Sequence, residues 1–272
     1  MAIGYYDIGA TPFFACRAEQ RVSYCLYVPK DYKEADTKRY PLIVLMHGTG
    51  RTASAYRDAF AQFAEDNGCI ILAPLFPAGL IEPGDLSNYK KLKFHDMRFD
   101  LILLSIIDEV AQKYRLKGER FALFGFSGGG HFAHRFLYAH PARLFAVSIG
   151  APGVVTLLDF TRDWWVGVRD FAQHFDQRID LEAMKRVIVQ MVVGAEDKDT
   201  WEITLQPGNP GWMADANIAG VTRVDRMHSL QRTFAEHGVS AQLDIVPGVA
   251  HDGQRVLPVV KAFFAQVIAQ MR

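Results

Sequence analysis

The sequence has 272 residues, of which 50% are apolar and 22% are charged, a composition typical of a soluble globular protein. The 30 Lys and Arg residues balance the 30 Asp and Glu residues, so the formal net charge is zero and neither nucleic acid nor another polyanion is indicated as a partner. No run approaches the ~18 consecutive apolar residues that a membrane span needs.

The first half of the chain alternates between predicted strands and predicted helices. Residues 1–20 are aromatic and irregular, and we expect them to pack on a sheet. Apolar or alternating runs that end at Pro, Gly or a polar turn predict strands. The predicted strands are 21–29, 41–46 and 69–74, and the predicted helices are 54–67 and 100–114, with a Gly- and Pro-rich loop at 75–93.

The second half repeats this rhythm, with one interruption. The predicted strands are 121–125, 144–149, 187–194 and 241–246, and the predicted helices are 131–139, 221–237 and 256–270. Residues 151–186 break the pattern and predict a cap-like insertion. Strands that alternate with helices predict an α/β protein with a doubly wound, mostly parallel sheet and helices on both faces. We therefore expect a single domain over residues 1–272.

The strongest local signal is Gly125-Phe126-Ser127-Gly128-Gly129. It lies between a buried strand and an amphipathic helix, which is the context that a G-x-S-x-G nucleophile elbow requires. The chain must reverse within a few residues, and Gly125 and Gly129 leave room for the strand and the helix to approach. Ser127 is therefore the predicted nucleophile.

Candidates for an acid and a base follow later strands. Ligands and substrates bind outside the carboxyl ends of the strands in such sheets. Asp197 follows the strand at 187–194, and His251 follows the last strand. A Ser hydroxyl needs an imidazole to take its proton, and that imidazole needs a carboxylate to orient it. We predict His251 as base and Asp197 as acid. The alternative acids are Glu196, Asp199, Asp159 and Asp163.

The loop after the strand at 41–46 reads His47-Gly48-Thr49-Gly50. Acyl transfer needs N–H donors aimed at the oxygen that becomes negative. The N–H groups of Thr49 and Gly128 are the predicted oxyanion hole, and the alternative is a plain glycine turn. His47 is interpreted as a structural hydrogen-bonding residue.

Two further features bear on substrate and compartment. Trp164 and Trp165 lie in the insertion, where they either line an acyl or aryl pocket or pack the insertion itself.

The cysteines Cys16, Cys25 and Cys69 match no metal spacing, so no metal is predicted and reduced thiols are expected. The first residues lack the basic start and apolar core of a signal peptide, which favours a cytoplasmic location.

Taken together, these motifs resemble the α/β-hydrolase superfamily over residues 21–270. Within it, His95-Asp96-Met97-Arg98-Phe99-Asp100 and the stretch from Gly125 to Gly153 are most similar to the bacterial branch with polyhydroxybutyrate depolymerase-like and feruloyl-esterase-like hydrolases. The resemblance implies ester or related acyl hydrolysis without a metal or an organic cofactor. Many secreted members of that branch carry signal peptides and disulfides, so a small intracellular ester is favoured over a polymer.

The resulting hypothesis is a serine hydrolase, a carboxylesterase in particular, that acts on a small-molecule acyl substrate. Two alternatives remain at this point. The same triad could cleave an amide or a thioester, because the pocket rather than the fold decides the substrate. The scaffold could also serve as a non-catalytic binding protein.

Overall fold

A mixed sheet of nine strands forms the centre of the computed structural model, which describes residues 3–271. Its strands are β1 (Gly9–Ala10), β2 (Phe14–Ala15), β3 (Ser23–Val28), β4 (Leu42–Met46), β5 (Ile70–Leu75), β8 (Phe121–Phe126), β9 (Leu144–Gly150), β10 (Ile188–Gly194) and β11 (Ala241–Val246). A separate hairpin pairs β6 (Lys93–Phe94) with β7 (Met97–Arg98).

The strand order is β1-β3-β5-β4-β8-β9-β10-β11, with β2 added to β3. The strands from β5 to β11 along this order run parallel, while β3 lies antiparallel to β5 and β1 and β2 lie antiparallel to β3. The central strands β4, β8 and β9 are buried at every residue, as their continuous apolar runs predict. The predicted α/β fold class is confirmed.

Helices lie in the connections between the strands. They are α1 (Ala53–Ala59), α2 (Ala61–Asn67), α3 (Phe99–Lys113), α4 (Gly128–Ala139), α5 (Phe171–Phe175), α6 (Leu181–Met184), α7 (Arg223–Glu236) and α8 (Leu257–Gln270). The right-handed crossovers of a parallel sheet place such helices over both of its faces.

Three local differences separate the predicted from the observed elements. The helix expected over 54–67 is two helices, because the Phe60 N–H is shared between the carbonyls of Tyr56 and Arg57 and the turn tightens there. The hairpin β6–β7 lies in a stretch where the sequence predicts no element. The leading segment contributes the two-residue strands β1 and β2 to the sheet, and these are too short to show a pattern.

The segment 151–186 joins β9 to β10 and contains the short helices α5 and α6. Its apolar side chains Val155, Leu158, Phe171 and Phe175 are buried in the same core cluster as the sheet. The segment is therefore packed on the main body through apolar contacts.

All three cysteines lie in the interior as free thiols. Cys16, Cys25 and Cys69 are buried and unpaired, and burial raises the pKa of the Cys25 thiol to about 11. Within residues 3–271, no helix is long and apolar enough to cross a bilayer. The same part of the chain holds no group of three or more His, Cys, Asp or Glu side chains placed to bind a metal ion.

Candidate active site

Ser127 occupies the sharp turn between β8 and α4. Its backbone has φ 56° and ψ −116°, a conformation that costs about 1–3 kcal/mol for a residue with a side chain. The turn can close only because its neighbours are glycines. A Cβ on Gly125 would lie 2.2 Å from the Gly129 carbonyl oxygen, and a Cβ on Gly129 would lie 2.3 Å from the Met46 carbonyl oxygen.

Backbone hydrogen bonds fasten this turn to its surroundings. The Ser127 N–H donates to the Gly150 carbonyl at 2.8 Å, and the Ser127 carbonyl accepts from the His131 N–H at 3.0 Å. A Cβ on Gly130 would lie 2.2 Å from the Gly150 oxygen, so α4 is pressed against the end of β9. The surrounding structure therefore fixes the strained conformation of Ser127.

Asp197 and His251 form a hydrogen-bonded carboxylate–imidazole pair at the ends of the neighbouring strands β10 and β11. The Asp197 Oδ2 lies 2.6 Å from His251 Nδ1, the Asp197 side chain is fully buried, and the His251 side chain is 24% exposed. The two loops are also hydrogen-bonded to each other, since the Glu196 N–H donates to the Val249 carbonyl at 2.8 Å. A Cβ on Gly194 would lie 2.2 Å from that same carbonyl oxygen, so glycine permits the close approach.

The alternative acids are placed differently. Glu196 is exposed and pairs with Lys198 at 2.9 Å, and Asp199 is exposed. Asp159 and Asp163 form ion pairs with arginines inside the segment 151–186. Among the acids considered from the sequence, Asp197 is the one whose carboxylate contacts the imidazole.

Arg223, at the start of α7, is the second partner of Asp197 and was not predicted from the sequence. Its Nη1 lies 3.1 Å from Asp197 Oδ1, and its Nη2 lies 2.8 Å from Glu202 Oε2. The Arg223 side chain is 2% exposed. Each Asp197 oxygen thus has its own partner, and Arg223 forms ion pairs with two carboxylates.

The His251 loop packs directly on the Ser127 turn. The His251 and Phe126 rings lie 4.9 Å apart at an angle of 33°. A Cβ on Gly253 would lie 2.4 Å from the Tyr56 hydroxyl and 2.9 Å from the Phe126 ring. Within residues 3–271 the Ser127 hydroxyl makes no hydrogen bond to His251 or to any other group. In enzymes without bound substrate, the hydrogen bond between a nucleophile and its base is often long or poorly aligned.

Thr49 and Gly128 present neighbouring backbone N–H groups. Neither N–H donates to another group in the described part of the chain. A Cβ on Gly128 would lie 3.0 Å from the Thr49 nitrogen, so the two peptides are adjacent. The Arg51 guanidinium holds the Thr49 loop by donating to the Thr49 carbonyl at 2.7 Å and to the Leu86 carbonyl at 2.9 Å.

His47 is fully buried beneath this loop and is neutral. Its Nδ1 donates to the Gly48 carbonyl at 2.8 Å, and its Nε2 accepts from the Phe76 N–H at 3.0 Å. Burial lowers the pKa of His47 to about 4. Because both ring nitrogens are engaged by the backbone, His47 connects the loop after β4 to the loop after β5.

Ser127, Thr49 and Gly128 line a cavity of about 190 Å³. Trp165 also lines it, and its indole Nε1 donates to the Gly211 carbonyl at 2.8 Å. Trp164 is not part of the lining. Its ring instead packs between α5 side chains, with centroid distances of 5.5 Å to Phe171 and 4.9 Å to Phe175. The adjacent tryptophans therefore have different surroundings, and no residue pattern around them distinguishes the two.

Cationic side chains that were not predicted from the sequence also line the cavity. They are Lys90, Lys91 and Arg135, in addition to Arg223. A signal for one of them was present, because Arg135 lies about two turns of α4 after Ser127 and so lies near its face of the helix. The lysines come from the loop at 75–93, whose path over the strand ends cannot be read from a residue pattern.

The fold is shared with solved hydrolase structures of low sequence identity. Poly(aspartic acid) hydrolase-1 from Sphingomonas sp. KT-1 is 20% identical, with a TM-score of 0.70 over 93% of this chain and 97% of that chain. The poly(3-hydroxybutyrate) depolymerase LpqC from Bordetella parapertussis is 24% identical, with a TM-score of 0.68 over 92% and 88%. An S-formylglutathione hydrolase from Agrobacterium tumefaciens is 14% identical, with a TM-score of 0.61 over 91% and 89%.

At the level of sequence, no family profile and no curated protein matches the chain. The structural likeness, together with the strand order and the turn at Ser127, establishes that the chain has the α/β-hydrolase fold.

Proposed function

We propose that this α/β-hydrolase chain is a serine hydrolase that cleaves carboxylic esters through an acyl-enzyme on Ser127. The observation that carries the proposal is a strained Ser127 held at the N-terminus of α4, beside a loop that presents the Asp197–His251 pair. A positive φ at a buried turn is costly and persists where a function requires it. The solved hydrolases named above support the proposal through their shared fold.

The mechanism follows from the chemistry of these groups. The Ser127 hydroxyl attacks the acyl carbon as His251 Nε2 takes its proton, and the free N–H groups of Thr49 and Gly128 donate to the developing oxyanion. Asp197 accepts from His251 Nδ1–H, so the imidazole holds its free lone pair on Nε2. His251 then protonates the leaving alkoxide, and a water activated by the same imidazole hydrolyses the acyl-enzyme.

Labelling with a fluorophosphonate probe tests the nucleophile directly. The purified protein is treated with the probe, and the modified peptide is identified by mass spectrometry. We expect a label on Ser127, none in the Ser127→Ala variant, and normal labelling in Ser87→Ala, whose hydroxyl lines the same cavity. A label on another residue, or substantial ester turnover by Ser127→Ala, would contradict the assignment.

The type of bond cleaved is tested with acyl 4-nitrophenyl esters, thioesters and aminoacyl amides at equal concentrations. We expect kcat/KM to be highest for esters. A protein that is folded by circular dichroism, is not labelled and cleaves none of these compounds would favour the non-catalytic binding protein instead.

A further inference from the structure

Three cationic side chains face the cavity beside Ser127 without a carboxylate to balance them. They are Lys90, Lys91 and Arg135, and none of them forms an ion pair within residues 3–271. The acid that lines the cavity, Glu202, is already paired with Arg223 at 2.8 Å. The cavity therefore has a net positive charge in a protein whose formal net charge is zero.

Arg135 shows most clearly that this charge lacks a counter-ion. The side chain is fully buried, its Nε donates to Thr156 Oγ1 at 2.8 Å, and its Nη1 donates to the Lys90 carbonyl at 2.7 Å. Its Nη2 is buried without a hydrogen-bond partner. A buried charge that lacks both a counter-ion and part of its hydrogen bonds is strongly destabilising unless a ligand supplies them. Such unsatisfied groups are rare in folded proteins and need an explanation.

The two lysines extend this positive surface toward the catalytic groups. A Cβ on Gly128 would lie 3.0 Å from Lys90 Cε, and the only side-chain hydrogen bond of the Lys90 ammonium within the described residues is to Ser87 at 3.3 Å. The Lys91 ammonium lies 5.0 Å from the Trp165 ring centroid, a cation–π contact that holds it against the cavity wall.

Burial and neighbouring cations make both ammonium groups easier to deprotonate. The pKa of Lys90 and of Lys91 is lowered to about 8, first by burial, and the charge of Arg135 lowers both. For Lys90 the other charged side chains that act on it are Arg51, Glu202 and Asp85. A bound anion would favour the protonated, charged form of both lysines and so raise their pKa.

We propose that this cationic pocket, formed by Lys90, Lys91 and Arg135, binds a carboxylate of the substrate, so that the preferred esters carry an anionic group remote from the scissile bond. The inference rests on the proposed function, because it concerns the substrate of the same site. Ammonium and guanidinium groups make charge-assisted hydrogen bonds with carboxylate oxygens, and these are roughly twice as strong as neutral ones. Desolvation inside the cavity strengthens them further.

Matched pairs of esters test this preference. One pair places the carboxylate on the acyl side, 4-nitrophenyl hydrogen adipate against 4-nitrophenyl hexanoate. The other places it on the leaving group, 4-acetoxybenzoate against methyl 4-acetoxybenzoate. We expect kcat/KM to favour the anionic member of at least one pair. Lys91→Met and Arg135→Met should each reduce that preference by about 10- to 100-fold, the loss of one charge-assisted hydrogen bond. Lys93→Met, an exposed lysine outside the cavity, should leave it unchanged.

Binding to the Ser127→Ala variant separates failure of this inference from failure of the proposed function. Calorimetry with adipate and with neutral 1,6-hexanediol needs no catalysis. We expect adipate to bind and hexanediol not to, and Lys91→Met to weaken adipate binding about 10-fold or more. If adipate binds to Ser127→Ala but the wild-type chain cleaves no ester, the proposed function is overturned and the anion site is kept. Absence of adipate binding, binding of inorganic phosphate alone, or an ester preference that survives both variants would overturn the carboxylate pocket. Lys91 is half-buried, so its variant remains informative if Arg135→Met does not fold.

Discussion

Replacing Asp197 by Asn tests whether this carboxylate sets the tautomer of His251, as the proposed mechanism requires. In the wild-type chain, Asp197 Oδ2 accepts from His251 and Oδ1 accepts from Arg223. An Asn side chain has one acceptor oxygen and one NH₂ donor. Arg223 is a permanent donor, so we expect the amide oxygen to turn toward Arg223 and the NH₂ toward His251.

The consequence is a His251 tautomer that cannot act as the proposed base. The His251 Nδ1 would then accept from the Asn NH₂, its proton would move to Nε2, and Nε2 could no longer take the Ser127 proton. The analogous change in the triad of a serine protease lowers kcat by about 10⁴-fold, and we expect a loss of that order here. Asp199→Asn, which alters an exposed acid two residues along the chain, should change kcat by less than about twofold.

Replacing Arg223 in the Asp197→Asn variant tests whether Arg223 sets the orientation of the Asn amide. In the double variant Asp197→Asn with Arg223→Met, the amide is free to turn its oxygen toward His251. The correct tautomer is then available, and kcat should recover by about 5- to 150-fold over Asp197→Asn alone, the value of one corrected hydrogen bond. Steady-state kinetics of the two single variants and the double variant measure this coupling. A double variant no faster than Asp197→Asn, with both proteins folded, would refute the orientation argument.

Three further predictions follow from the geometry of the Ser127 turn, from the cationic pocket and from the buried imidazole of His47. Gly125→Ala places a Cβ against the backbone of α4 and should lower the free energy of unfolding in urea by about 3 kcal/mol. Gly50→Ala, whose Cβ would meet its nearest neighbour at 3.9 Å, should lower it by much less, and equal losses would contradict the packing argument. The preference for anionic esters should decline as the pH rises through about 8, because Lys90 and Lys91 are protonated below that pKa and neutral above it. A ratio of kcat/KM values that stays constant from about pH 6.5 to about pH 9.5 would exclude a role for the lysines. Finally, the pKa of His47 is about 4 in the folded protein and 6.5 in the unfolded chain. Between these pH values the His47 imidazole binds fewer protons when the protein is folded. Its contribution to the free energy of unfolding is therefore lost as the pH falls from 6.5 to 4. His47→Gln should reduce that acid-dependent loss by about 3 kcal/mol at about pH 4, and urea unfolding at about pH 7 and about pH 4 measures the difference.

The sequence was most informative where one short segment fixes the backbone. Glycines flank Ser127 because the turn has no room for side chains, so the motif and its geometry have the same cause. The contact between Asp197 and His251 could be predicted equally well. Each residue follows a parallel strand, and neighbouring parallel strands end at the same edge of the sheet. The catalytic roles of these residues remain predictions.

Other features depend on how distant segments meet. Arg223 contacts Asp197 across 26 residues of chain, and the loop between them has no periodic pattern. Arg135 would ordinarily be interpreted as an exposed helix residue, because arginine is rarely fully buried. Its burial arises from packing against the loop that carries Lys90 and the segment that carries Thr156. Its position two turns after Ser127 indicates the side of α4 on which it lies, but no property of the local sequence predicts that its side chain is buried.

The strand that precedes His251, β11, is also an edge strand of the sheet. Within residues 3–271, β11 pairs with β10 alone, and none of its residues is fully buried. Edge elements with few buried contacts open at a lower free energy than the global unfolding transition. Separation of β11 would remove His251 from Asp197 while the central strands stay intact. Heating should therefore inactivate the protein at a temperature at which its far-ultraviolet circular dichroism is still native, and cooling should restore activity as the edge strand pairs again.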